Sequence, residues 1–160
     1  MIRRADPYRD TTVIDSRAPR FNQAFVGLVA VAAILTGWWW LLLLLAAQLL
    51  AGLTLGRQFC LPCVAYFELV QPRLGEGPLE DARPPRVANI VGFVFLWFAA
   101  LTYAAGFATV GEVLAGIVAA LAWLAALTGF CTGCQAYKLG CRLLGRPFVS
   151  CPIPAQPAAE

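Results

Sequence analysis

The chain has 160 residues, of which 60% are hydrophobic and only 13% charged, with a formal net charge of +3; soluble domains carry about a quarter charged residues. This composition excludes an ordinary soluble enzyme and reads as a membrane protein. The small positive excess is spread over three segments and makes no basic stripe, so no nucleic-acid partner is expected, and the absence of histidine excludes a mixed Cys/His zinc site and a histidine-assisted cysteine nucleophile.

Residues 1–20 are polar and mixed in charge, with Arg3, Arg4, Asp6, Arg9, Asp10, Asp15, Arg17 and Arg20. No short apolar stretch there ends in a small-residue cleavage site, so this segment is expected to be mature protein and not a signal peptide. Between Arg20 and Arg57 there is no charge. About 20 apolar residues span a bilayer, so this run is too long for one crossing and right for two. Thr36-Gly37 followed by Trp38-Trp39-Trp40 reads as a tight bend at a membrane surface, where tryptophan is enriched. The spans are then about Asn22 to Leu35 and Trp39 to Gly56.

Past Arg57 comes Phe-Cys-Leu-Pro-Cys-Val-Ala-Tyr, ending at Tyr66. Val64 to Val70 reads as a short surface helix carrying Tyr66 and Glu68, and the following QPRLGEGPLEDARPP holds too many Pro and Gly residues for regular structure. A second apolar region, Val87 to Phe130, is interrupted only by Glu112. A bend at Gly106 to Glu112 divides it into spans from about Arg86 to Ala105 and Val110 to Thr128. Glu112 is expected to be a solvated residue of that bend. Gly129 stops the last span. Phe-Cys-Thr-Gly-Cys-Gln-Ala-Tyr follows, then an interfacial helix from Gln135 to about Leu144 with Tyr137, Cys141 and Leu144 on one face. The proline-rich tail, 146–160, is expected to be mobile.

The expected fold is therefore all-α: a polytopic membrane protein with four transmembrane helices arranged as two tandem helical hairpins plus short interfacial helices, the membrane domain covering 21–145. Its orientation follows from charge. All 12 Lys and Arg residues fall in the N-terminal segment, the central loop or the C-terminal segment, and the bends within the hairpins carry none. By the positive-inside rule both termini and the central loop are cytoplasmic, in a bacterial cytoplasmic membrane.

The hairpins also look like copies, at about 21–70 and 86–140. Pro19-Arg20-Phe21-Asn22 and Pro85-Arg86-Val87-Ala88-Asn89 precede the first spans of each; Val26-Gly27 and Val91-Gly92 follow; Phe59, Cys60, Cys63, Ala65 and Tyr66 correspond to Phe130, Cys131, Cys134, Ala136 and Tyr137. Each copy crosses the membrane an even number of times, so the copies share one orientation about an axis along the membrane normal.

The four motif cysteines are the candidate site. A thiol at a helix N-terminus has an increased thiolate fraction, Lys138 and Arg142 add positive charge near the second pair, and Pro62 suits a first helical turn. Cytoplasmic thiols are kept reduced, so pairs there serve redox or metal chemistry more often than structure. Three readings stay open: Cys131 and Cys134, with Cys60 and Cys63, exchanging disulfides with a soluble thioredoxin-like partner or relaying sulfur with a carrier protein; all four binding zinc or another thiophilic metal, or moving it; or cysteines that only pack in a membrane scaffold. No other cofactor is implied, and a homo-oligomer is compatible with the sequence. The polar span residues Asn22, Gln23, Gln48, Asn89 and Thr102 include no ionisable group at mid-membrane depth, so a proton-coupled path is not expected. Cys141 lies roughly 10 Å along its helix from Cys134 and reads as packing; Cys151 reads as incidental.

IDSRAPRFNQ before the first span, VQPRLGEGPLEDARPPRVANIVG in the centre and GFCTGCQAY after the last span resemble the bacterial domain-of-unknown-function family 4395, over about residues 14–145. The resemblance implies a small membrane protein associated with thioredoxin-like and sulfurtransferase proteins. It also implies that Cys131 and Cys134 are the usual pair and that Cys60 and Cys63 are a departure.

Overall fold

The computed structural model describes residues 5–130, 132–143 and 145, with 132–134 described as backbone only. In chain order it contains β1 (Val13–Asp15), α1 (Arg17–Thr36), α2 (Trp40–Thr54), a 3-10 turn (Arg57–Phe59), α3 (Leu61–Ala65), a π turn (Tyr66–Val70), α4 (Gln71–Leu74), β2 (Leu79–Asp81), α5 (Arg83–Ala104), α6 (Ala108–Thr128) and α7 (Thr132–Leu143). Left-handed glycines end two of the long helices, Gly37 after α1 (φ 69°) and Gly129 after α6 (φ 71°), because a residue with a Cβ is strained in that conformation. Pro84 and Pro85 open α5, where their missing amide protons leave no carbonyl unpaired.

Four of these helices form a bundle. Around it the order is α1, α2, α5, α6, with α1 packed mainly on α6 and α2 mainly on α5. The interior is built largely of small side chains: Ala30, Ala33, Ala46, Ala99, Ala115 and Ala119 surround Leu42, Leu45, Leu49 and Leu96. Larger apolar groups, among them Leu28, Leu44, Ile90, Phe98, Val113 and Leu127, point outward. A soluble bundle does the reverse; small residues inside and bulky ones outside suit helices that are solvated by lipid and held together by close packing. One such close approach is at Gly27 of α1, where an added Cβ would lie 2.9 Å from the Trp123 ring of α6.

Three helices, Arg17–Thr36, Arg83–Ala104 and Ala108–Thr128, are long and apolar enough to cross a membrane. The expected second span is shorter: α2 has 15 residues, which at 1.5 Å per residue reach about 22 Å against a hydrocarbon core of about 30 Å. It starts only at Trp40 because the tryptophan run forms the bend, with Trp38 stacked on Trp40 at 5.6 Å. At the other bend the Tyr103 hydroxyl donates to Glu112 Oε1 at 3.0 Å, so Glu112 is exposed, as expected, but has a partner.

Three expectations are corrected at the opposite end. The chain is not purely helical: β1 and β2 pair antiparallel, Ile14 opposite Glu80. The Pro/Gly-rich central segment is regular over most of its length, since helical structure continues to Leu74 and Leu79–Asp81 is a strand. The reason is tertiary, because β1 supplies the ladder partner that local composition cannot reveal. Tyr66, expected on a surface helix, is buried with Phe67, Ile14, Ala18 and Ala82 in a second apolar cluster.

Replacing Gly27 by Leu should force α1 away from Trp123 and destabilise the bundle by about 1–3 kcal/mol. Thermal unfolding in detergent, compared with Gly116→Leu at a helical glycine with open space around it, should show a clear loss for the first variant and little for the second.

Candidate functional site

The starts of α1 and α5 and the ends of α2 and α6 lie at the same end of the bundle. Asn22 of α1 donates its Nδ2–H to Asn89 Oδ1 of α5 at 3.3 Å. Arg86 at the start of α5 reaches the Leu53 carbonyl near the end of α2 at 3.4 Å, and Arg20 at the start of α1 lies against Gly129, which ends α6. Cations at helix C-termini meet the negative end of the helix dipole and the carbonyls left without partners there. Each arginine therefore helps to close the second helix of the hairpin to which it does not belong.

A polar cap covers this end, centred on Asp15. Its carboxylate is buried and accepts four hydrogen bonds: from the Arg17 amide (3.0 Å), the Tyr66 hydroxyl (3.0 Å), Gln71 Nε2 (3.3 Å) and the Gly77 amide (2.9 Å). A buried carboxylate is tolerated only when its lone pairs are filled. Filling them gathers β1, the π turn, α4 and the segment before β2. Asp81 makes the equivalent local bond to the Arg83 amide at 2.8 Å. Burial, reinforced by the Asp15 charge and hydrogen bond, pushes the Tyr66 hydroxyl well above the ordinary tyrosine range. Glu80 is also pushed up, by burial and despite Arg20.

Arg57 holds the N-terminal segment. Its Nη1 donates to the carbonyls of Pro7 (3.1 Å), Asp10 (2.8 Å) and Val13 (3.0 Å), and its Nη2 to that of Thr11 (3.3 Å). Burial and the Arg86 charge lower the Arg57 pKa, against Asp10. Tyr8 then packs edge-on against Phe67 and donates to Glu68 at 2.9 Å. The described part of the N-terminal segment, residues 5–16, is thus folded against the cap instead of trailing from it.

Within this frame lie Cys60 and Cys63, joined to each other as a disulfide across the first turn of α3. Cys60 is 4% exposed, while Cys63 is half-buried beside the Tyr66–Phe67 cluster. Cys60 Sγ lies 3.9 Å from Asn22 Oδ1. Gly52 of α2 presses on the other side, where an added Cβ would come within 3.1 Å of Cys60 Cβ. The first pair is therefore seated at the junction of both hairpins, through Asn22 and its bond to Asn89.

Residues 14–142 match the family described as a domain of unknown function, DUF4395. The chain belongs to that family. No curated protein and no solved structure matches it. The DUF4395 match runs from β1 through α7, so it includes the cap as well as the bundle.

Of the second pair in this DUF4395 chain, Cys131 lies outside the described residues and Cys134 is described only as backbone, in the first turn of α7. That helix starts at Thr132, earlier than the sequence indicates, and packs on α5. Cys141 is a buried free thiol on α7, in keeping with a packing role, and Tyr137 of α7 bonds Arg83. Cys151 and the tail lie outside the described residues. Among the described residues no group of three or more His, Cys, Asp or Glu side chains is placed to hold a metal. A cleft of about 170 Å³ between α1, α5, α6 and α7 is lined by Gln23, Phe95, Leu121 and Ala136.

Asp15, Arg57 and Asn22 carry the site yet are absent from the sequence-derived candidates. Their signal was present: Asp15-Ser16-Arg17-Ala18-Pro19-Arg20 and Asp81-Ala82-Arg83-Pro84-Pro85-Arg86 share the pattern D-x-R-x-P-R, of which only the final Pro-Arg enters the sequence reading.

Tyr66 generates a pH prediction. The folded chain keeps its phenolic proton above the ordinary value of 10.0, where the unfolded chain loses it. The folded state then binds more protons, so its contribution to stability is complete below pH 10.0 and falls as pH rises beyond it, at up to about 1.4 kcal/mol per pH unit. Tyr66→Phe should be less stable at neutral pH by about 1–2 kcal/mol, having lost a donor to Asp15, and should decline less steeply in the alkaline range. Thermal unfolding of both proteins across that range measures the difference.

Proposed function

We propose that this DUF4395 protein is a membrane-embedded thiol–disulfide exchange protein that passes electrons to or from a soluble thioredoxin-like partner. The observation that carries the reading is the Cys60–Cys63 disulfide. The two cysteines are close enough to bond, one is partly open to solvent, and the turn that holds them is braced by the four hydrogen bonds to Asp15. Such a pair stores two electrons, and its exchange rate is governed by access to the sulfur. A closed disulfide favours redox exchange over metal holding, because a metal needs the thiolates free. Cys131 and Cys134 belong to the proposal as a second pair of the same kind, supported by the shared Phe-Cys-x-x-Cys-x-Ala-Tyr sequence.

The proposal includes a topology. All four bundle helices cross the bilayer, α2 by virtue of local thinning or of the tryptophan bend lying within the interface. The end carrying the cap faces the cytoplasm. Every Lys and Arg of the described residues belongs to segments gathered at that end, which is the side favoured for basic residues. The hairpins are two copies about an axis along the membrane normal. Three features support this: each D-x-R-x-P-R segment begins at the last residue of a strand and the two strands pair antiparallel, Asn22 bonds Asn89, and Arg20 and Arg86 approach opposite hairpins.

Differential alkylation followed by peptide mass spectrometry, in native membranes with and without reduced thioredoxin, tests the reading. Cys60 and Cys63 should be bonded before treatment and should become alkylated together after it. A pair untouched by thioredoxin, with stoichiometric zinc on the protein, would establish the metal alternative instead.

A further inference from the structure

We infer that the two sulfurs of the first pair have fixed and unequal roles: Cys63 is the outer sulfur that bonds to the partner, and Cys60 is the inner, resolving sulfur. This rests on the exchange reading above and assigns its chemistry to atoms.

Thiol–disulfide exchange requires the attacking thiolate to approach a sulfur from the side opposite the bond that breaks, so the sulfur with an open far side is the one attacked. Cys60 has no such side. It is 4% exposed, Gly52 of α2 packs against it so that an added carbon there would come within 3.1 Å of its Cβ, and Asn22 of α1 stands 3.9 Å from its Sγ. Cys63 lies one turn further along, packs against the Tyr66–Phe67 cluster and is only half-buried, so part of its surface meets solvent. The usual inference from a cysteine at the start of a helix would give the reactive role to the first cysteine of the motif. Here the bundle occupies that position, and the role passes to the second.

A thiolate of the partner's dithiol attacks Cys63 Sγ, an intermolecular S–S bond forms, and the Cys60–Cys63 bond breaks with its electron pair left on Cys60. Cys60 takes up a proton by way of solvent. Its S–H then has an acceptor in Asn22 Oδ1, because the Asn22 amide already donates its Nδ2–H to Asn89. The partner's second thiolate attacks the partner's own sulfur in the mixed disulfide and releases Cys63 as thiolate. Two electrons have moved to the pair, and the partner leaves as a disulfide. In the opposite direction the same sulfurs act in reverse order, with Cys60 displacing the partner from Cys63.

Two measurements test the assignment. In full-length protein in lipid nanodiscs carrying Cys131→Ser, Cys134→Ser, Cys141→Ala and Cys151→Ser, the Cys60→Ser and Cys63→Ser variants are reduced and treated with a maleimide. The chain that retains Cys63 should react at least about tenfold faster than the chain that retains Cys60, and the two should react equally once denatured. In the second, the oxidised protein with all its natural cysteines is mixed with a thioredoxin whose resolving cysteine is replaced by serine, and the mixed disulfide is located by peptide mass spectrometry. It should be at Cys63. A mixed disulfide at Cys60, or equal maleimide rates with a mixed disulfide formed, overturns the roles alone. Absence of a mixed disulfide at either sulfur, with the rate difference intact, overturns the exchange reading and the roles with it.

Discussion

One buried carboxylate organises the polar end of this molecule. Asp15 lies at 3% exposure in a chain that is otherwise mostly apolar, and such a group is stable there only with its oxygens filled by donors. Those donors come from four separate points along the sequence, Arg17, Tyr66, Gln71 and Gly77. Satisfying one side chain therefore fixes the path of the central segment over the end of the bundle. Tyr66 lies a short distance beyond Cys63 on the same run of helical turns, so the carboxylate also fixes where the thiol pair sits. Arg57 does the converse for the N-terminal segment: a single guanidinium collects carbonyls from Pro7 to Val13 and lays that segment beside the same turns.

The bundle and the cap follow different packing rules. Between the helices the contacts are made by alanines and a few leucines, and the bulky side chains face outward, an arrangement that lipid stabilises and water does not. At the cap the rule is the one for soluble proteins: apolar groups such as Ile14, Tyr66 and Phe67 are inside, and the buried carboxylates Asp15 and Asp81 accept hydrogen bonds. Helix ends are the weak points of a membrane bundle because their last carbonyls lack partners. Arg20 and Arg86 stand at two of these ends, each reaching from one hairpin to the other. With the Asn22–Asn89 bond, they bind the hairpins together at the level where the first cysteine pair is held.

The sequence discloses most of the bundle. Uncharged runs, glycine stops and the tryptophan bend locate α1, α2, α5 and α6 within a few residues, because the length and polarity of an apolar helix can be counted. The cap is much less legible. Leu79–Asp81 becomes a strand only because Val13–Asp15 is brought alongside it, and no local pattern announces a pairing between segments so far apart. Tyr66 looks like an interfacial residue until Asp15 is placed against its hydroxyl. The cysteine pairs are conspicuous as a spacing, whereas the inequality of Cys60 and Cys63 depends on Gly52 and Asn22, contributed by two other helices. The D-x-R-x-P-R repetition is the one clue in the sequence that leads directly to the cap, since it marks two equivalent turns ahead of α1 and α5.

Taken together, the fold brings a closed thiol pair to the charged end of a bundle with an apolar exterior and leaves one of its sulfurs, that of Cys63, the more accessible. The central claim is that this end faces the cytoplasm, where a thioredoxin-like protein can reach it. Labelling of a chain retaining Cys63 alone, reduced and then exposed to a membrane-impermeant maleimide in right-side-out and in inverted vesicles, tests that claim most directly. The account predicts modification in inverted vesicles only; modification of Cys63 in right-side-out vesicles would contradict it.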